Sequence, residues 1–171
     1  MSPGTDAMPR SYAAGAANLP FGVLRGYRGG DLPASTRVAA ITCPFTGEEL
    51  AAVPAHRPDV GIVHAQRTDR HGNVQLWGIL GVQKEAVLAS RAAIVTVEEV
   101  VDELTPVPGA IVLPAWVLAA VCVVPGGARP SYAHGYYDRD NDFYRAWDAI
   151  SRDRDGFRAW MDENVLATVA A

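Results

Sequence analysis

Short apolar runs, separated by polar or Gly/Pro-bearing stretches, organise the chain. Residues 37–42 form an Ala/Val/Ile-rich run stopped by Cys43-Pro44, which predicts a buried strand joining a parallel sheet. Thr46 is placed to cap a short helix, with Glu48 and Glu49 in its first turn and Pro54 at its end. Residues 59–65, carrying Val60, Ile62 and Val63, are too short for a helix and predict a second strand. After a turn at Gly72-Asn73, Val74 and Leu76 add a short extended piece. Ile79, Val82, Ala86 and Val87 then recur at the spacing of an amphipathic helix over residues 78–91. Residues 93–97 are β-branched and predict a strand, residues 98–104 a short helix, and residues 110–113 a fourth strand. Residues 116–124 are apolar throughout, so periodicity leaves a strand and a helix running into a strand both open. The last part, residues 141–167, predicts two helices separated near Asp155-Gly156. Strands apolar on both faces and alternating with helices argue an α/β fold, a mostly parallel sheet flanked by helices.

Residues 1–18 hold Ser2, Pro3, Gly4, Pro9 and Gly15 with little periodicity and read as a flexible N-terminal arm, leaving residues 19–171 as one domain. A 171-residue chain with 49% hydrophobic residues can bury a sizeable core. The net charge of −4 offers no basic surface for a phosphate backbone, so no nucleic acid partner is expected. The longest apolar run, residues 110–124, is broken by Pro114 and falls short of the ~20 residues of a spanning helix, so no membrane segment is expected. The opening residues lack a signal-peptide layout, which makes the cytoplasm the default location. Cys43 and Cys122 lie far apart and away from histidines at ligand spacing, and read as buried free thiols. No metal site is expected.

Two stretches carry candidate chemistry. The first follows the strand at residues 59–65. Ligands of open α/β sheets settle beyond the carboxyl ends of the strands, where His64, Gln66 and Asp69 would point. Asp69 and Asn73 can equally hold a tight turn, with Gly72 supplying positive φ. The second is the loop at residues 125–137, in which Gly126-Gly127 permits close backbone approach and Arg129, Tyr132, His134 and Tyr136 supply donors and flat surfaces. A role in docking a partner chain suits the same residues. The glutamates Glu48, Glu49, Glu85, Glu98, Glu99, Glu103 and Glu163 read as solvated or capping positions on helices, and none is nominated as a nucleophile.

The turn Thr68-Asp69-Arg70-His71-Gly72-Asn73 after an apolar strand resembles that of the α-type subunits of family I coenzyme A transferases. The resemblance continues in order through Gly81-Val82-Gln83-Lys84-Glu85-Ala86, Ile111-Val112-Leu113-Pro114 and Val124-Pro125-Gly126-Gly127-Ala128-Arg129-Pro130-Ser131-Tyr132. The segment Gly135-Tyr136-Tyr137-Asp138-Arg139-Asp140-Asn141 resembles the branch holding glutaconate coenzyme A transferase and the ring-opening hydrolases of steroid degradation.

This resemblance implies a coenzyme A transferase (NagB/RpiA-like) fold lacking the N-terminal portion that such subunits carry. It implies one subunit of an enzyme for acyl-CoA thioesters of organic acids, dicarboxylic ones among them, with coenzyme A as substrate and no bound cofactor. A glutamate from a β-type partner would be the nucleophile in a hetero-oligomer, and the chain alone would be inactive. The substrate or coenzyme A contacts would come from His64, Gln66, Asp69, Asn73, Gly126, Gly127, Arg129, Tyr132 and His134, with no catalytic residue in the chain. The alternatives are one subunit of a ring-opening hydrolase and a truncated, non-catalytic binding or scaffold module.

Overall fold

The computed structural model describes residues 7–26 and 37–167. They divide into two compact units, Met1–Gly127 and Ala128–Ala171, where the sequence pattern suggests one domain over 19–171.

The first unit opens with helix α1, Ala7–Ala16, inside the stretch read as a flexible arm. Small residues explain its docking: a Cβ on Gly15 would come 2.0 Å from the His56 carbonyl oxygen and 3.0 Å from Ala89 Cβ. Strands β1 (Phe21–Leu24), β2 (Ala39–Thr42) and β3 (Glu49–Pro54) follow and form an antiparallel sheet of order β1-β3-β2. Two expectations change here. Residues 37–42 enter this antiparallel sheet and not a parallel one, and residues 49–54 are a strand and not a helix. The cause lies in the turn between β2 and β3. Gly47 has φ +70°, Cys43 N–H donates to Glu48 O at 2.8 Å, and Thr46 Oγ1 accepts from Glu48 N at 3.3 Å. The Thr46 hydroxyl thus closes a hairpin, and pairing on both sides of β3 overrides the helix signal in an alanine-rich run.

The second sheet has order β7-β5-β4-β6-β8, built from β4 (Val60–Asp69), β5 (Val74–Leu76), β6 (Ala92–Val101), β7 (Ile111–Leu113) and β8 (Ala120–Val123). β4 pairs with β6, and β6 with β8, in parallel. β5 runs antiparallel to both β4 and β7, so the sheet is mixed where a mostly parallel one was expected. The tight turn after Asp69 sends β5 straight back, which only antiparallel pairing permits. The α/β class and the helix-flanked sheet stand: helix α2, Gln83–Ala89, contributes Val87 to a core with Val63, Ala65, Val74, Leu76, Val95, Val97 and Leu113. The residues left open at 116–124 resolve into a 3-10 turn, Ala115–Val117, and β8.

The helix expected over residues 98–104 is replaced by the last third of β6. Neither cysteine is buried as expected: Cys43 lies at the hairpin turn, half-buried, and Cys122 is exposed on the edge strand β8.

The second unit holds helices α3 (Asn141–Arg152) and α4 (Arg154–Met161). They part at Asp153, two residues before the expected break, because its carboxylate accepts from Gly156 N–H at 2.7 Å and starts α4. Phe143, Trp147 and Trp160 hold the pair, with Trp147 and Trp160 edge to face at 5.0 Å. No described helix is long and apolar enough to cross a membrane.

Candidate functional site

Parallel pairing of β4 and β6 sets His64 opposite Thr96, and the two-residue period puts Glu98 on the same sheet face as Thr96. His64 Nδ1 lies 2.8 Å from Thr96 Oγ1, and His64 Nε2 lies 2.6 Å from Glu98 Oε1. The other Glu98 oxygen accepts from Gly126 N–H at 2.8 Å. The His64 and Glu98 side chains are only 14% and 5% exposed, so these bonds form away from bulk water, where an unmade one is costly. A ring proton on Nε2 is donated to Glu98, which leaves Nδ1 to accept from the Thr96 hydroxyl, a tautomer assigned from the partners.

The loop after β8 closes over this group. Gly126 has φ +78°, and Gly127 N–H donates to Val124 O at 3.0 Å. A Cβ on Gly127 would stand 2.9 Å from His64 Cε1 and Nδ1, so a glycine at 127 admits the imidazole against the backbone. His64, Gly126 and Gly127 therefore converge as one assembly. Both imidazole nitrogens and both carboxylate oxygens engage protein partners, which makes the assembly a brace for the turn at the carboxyl end of β8.

Asp69 and Asn73 form a second assembly. Asp69 Oδ1 accepts from the N–H groups of His71 and Asn73 at 2.9 Å each, and Asn73 Nδ2 donates to Asp69 Oδ2 at 2.8 Å. Asn73 Oδ1 accepts from Ala115 N–H at 3.0 Å, tying the turn to the 3-10 segment. Burial pushes the Asp69 carboxyl up, but the hydrogen bonds from Asn73 and His71 outweigh it and hold the group below the ordinary aspartate value. Gln66 reaches across to the residue that follows β5. Its side chain exchanges two 3.2 Å hydrogen bonds with the Trp77 backbone, extending the β4–β5 pairing by side-chain amide.

In the second unit, Tyr132 and His134 line a concave pocket of about 260 Å³ together with Gly135, Tyr136, Tyr137 and Asp138. The Arg129 guanidinium lies 4.6 Å above the Tyr137 ring, whose hydroxyl accepts from Ala128 N–H at 2.9 Å. Among the described residues no group of three or more His, Cys, Asp or Glu is arranged to hold a metal ion.

Thr96 and Glu98 were not among the sequence candidates. The signal was present: the alternation of Val95 and Val97 with Thr96 and Glu98 continues a strand pattern into Val100 and Val101. Adjacent glutamates suggested a helix start, and a buried carboxylate with partners at distant positions reverses that reading.

Residues 9–123 match the protein family described as Coenzyme A transferase. The chain is 62% identical over 162 residues to the A subunit of the 3-oxoadipate CoA-transferase of Pseudomonas knackmussii, covering 94% of this chain and 57% of that protein. It is 36% identical over 126 residues to the A subunit of the glutaconate CoA-transferase of Acidaminococcus fermentans, covering 72% of this chain and 39% of that one. The crystal structure of glutaconate coenzyme A-transferase from the same organism superposes with a TM-score of 0.82 at 30% identity, over 92% of this chain and 56% of that chain. The chain thus spans little more than half the length of the 3-oxoadipate relative and of the solved glutaconate transferase chain.

Proposed function

The chain belongs to the coenzyme A transferase family, and on that premise we propose that it serves as the A-type subunit of an enzyme exchanging coenzyme A between thioesters of organic acids. The observation that carries the reading is the 62% identity, over 94% of the chain, to the A subunit of a 3-oxoadipate CoA-transferase. That relative's named substrate favours a dicarboxylic oxo acid as acceptor. The hydrolase and scaffold alternatives are not favoured by the same identity.

In this reading a B-type partner supplies the glutamate nucleophile, whose carboxylate displaces coenzyme A from the acyl donor and splits one difficult exchange into two easier ones. No glutamate of this chain suits that task. Glu98, the buried one, spends its oxygens on His64 and Gly126. Tyr132 and His134 are the candidates offered to a ligand, since they line an open pocket. His64, Asp69, Asn73, Gly126 and Gly127 hold turns of the first unit. The two free thiols suit a reducing, cytoplasmic compartment.

The test is co-expression with a B-type subunit, purification through a tag on one chain, and an assay of thioester exchange between a panel of acyl-CoA donors and 3-oxoadipate. Co-purification with exchange supports the proposal. A stable pair that hydrolyses the thioester without transferring it would refute the transferase reading.

A further inference from the structure

Helix α1 packs on the antiparallel sheet β1-β3-β2, and a pocket of about 270 Å³ opens between its first two turns, the approach to β2 and the end of β3. Its floor is carbon. Val53, 4% exposed, belongs to a minor core with Leu24 and Ala51, and Ala7 and Val38 pack against that core. Met8, 65% exposed, stands at the rim. Hydrogen bonds between α1 and the segment after β3 hold the two walls at a fixed spacing. The Ser11 hydroxyl donates to the Pro54 carbonyl oxygen, and His56 N–H donates to Ser11 O at 2.9 Å. The Tyr12 and His56 rings meet edge to face, with centroids 4.9 Å apart.

The polar groups of this pocket share one electrostatic sense. Among the described residues Arg37 and His56 line it and no carboxylate does, although the chain as a whole has a net charge of −4. Other arginines of the first unit rest on carboxylates, Arg25 on Glu48, Arg70 on Asp102 and Arg91 on Asp59. Arg37 differs. Among the described residues its guanidinium has no ion pair or hydrogen bond, and neither the His56 ring nitrogens nor the Tyr12 hydroxyl has a hydrogen-bond partner. A fork of guanidinium donors, an imidazole and a phenol therefore border a cavity whose floor is apolar.

We propose that the pocket binds a small organic acid, a monocarboxylate with an aliphatic body, with Arg37 meeting the carboxylate and the body lying over Val38 and Val53. Size sets the class. Drug-sized ligands ordinarily occupy about 300–1,000 Å³, so this cavity admits a shorter molecule and is too small for a folded partner. The carbon floor disfavours an inorganic anion, and an unpaired guanidinium disfavours a neutral hydrocarbon. The inference concerns binding by this chain and requires no thioester, so it stands or falls apart from the transferase reading.

The full chain, isotope-labelled, is titrated with hexanoate, hexanamide and inorganic phosphate while its amide resonances are followed. Hexanoate should saturate with a Kd of about 1 mM and shift amides within residues 7–12, 37–38 and 53–56. Hexanamide should bind about tenfold more weakly, and phosphate should not saturate. Arg37→Met keeps an apolar stem without the charge, and should lower hexanoate affinity about tenfold while leaving hexanamide unchanged. Met8→Glu sets a like charge at the rim and should weaken hexanoate by a similar factor. Arg91→Met, a matched loss of charge outside the pocket, should change neither ligand. The two pocket variants alter different elements, so either one decides when the other fails to fold. Equal affinity for acid and amide overturns the proposal, as does phosphate binding as tight as hexanoate's. So does hexanoate binding that survives Arg37→Met and Met8→Glu, or the absence of saturable shifts at these amides.

Discussion

His64 Nε2 and Glu98 Oε1 lie 2.6 Å apart across the parallel pairing of β4 and β6, with Glu98 also holding Gly126 N–H. Removing the carboxylate strands two donors in a site that water barely reaches. Glu98→Ala should therefore cost about 2–4 kcal/mol of stability, and the isosteric Glu98→Gln about 1–2 kcal/mol. Urea unfolding at constant slope reads both values. Parent-like midpoints for both variants would remove the pair from the list of what supports the fold.

Gly127 depends on the same imidazole. A methyl group at 127 meets His64 Cε1 and Nδ1, and the Val124 carbonyl oxygen, all at 2.9 Å. The ring cannot retreat without giving up its bonds to Thr96 and Glu98, so Gly127→Ala should destabilise by about 1–3 kcal/mol. In a His64→Ala background two of the three close contacts vanish. A double-mutant cycle should then show favourable coupling of about 1 kcal/mol, and strict additivity would refute the packing account.

The strands at 59–65, 93–97 and 110–113 were legible because β-branched runs bounded by Pro, Gly or polar residues have few alternatives. The hairpin of β2 and β3 was not. Residues 49–54 are Glu-Leu-Ala-Ala-Val-Pro, a helix-tolerant run that becomes a strand through pairing with positions far away in sequence. The site was half legible for a related reason. His64, Gly126 and Gly127 stand out from chemistry and turn propensity, but their shared purpose depends on Glu98, whose strand position the alternation with Val95 and Val97 allows but whose partners it does not reveal. A long-range hydrogen bond leaves no periodic trace. The Asp69–Asn73 turn, by contrast, is local and can be read as a turn directly.

Asp69 gives a pH dependence whose sign follows from its partners. Its carboxyl is held below the ordinary aspartate value in the folded chain, so the unfolded chain binds more protons over the interval between the two values. The stabilisation is fully present above the unfolded value near 3.8 and is lost as pH falls through the folded one. Asp69→Asn, which cannot ionise, should be less stable than the parent near pH 6, and the difference should narrow on acidification below about pH 4. Urea midpoints for the two proteins across that range measure it. A gap that widens in acid would contradict the assignment.

Cys43 supplies a second titration, read by reactivity and not by stability. The Thr46 side chain, followed by the backbone N–H groups of Phe45 and Thr46, stabilises the thiolate and sets its pKa below the ordinary 9.0, outweighing slight burial and the Glu48 charge. Iodoacetamide attacks the thiolate, so the pH at which Cys43 alkylation reaches half its maximal rate reports this pKa. Thr46→Val removes the leading donor and should move that midpoint upward, while Glu48→Gln, which removes a nearby negative charge, should move it slightly downward. The two shifts are opposite in sign because a hydrogen bond to sulfur favours the anion and a carboxylate opposes it. Mass spectrometry separates Cys43 from the exposed Cys122 on the edge strand. A Thr46→Val midpoint equal to the parent's would show that the backbone of the β2–β3 turn alone sets the thiol's acidity.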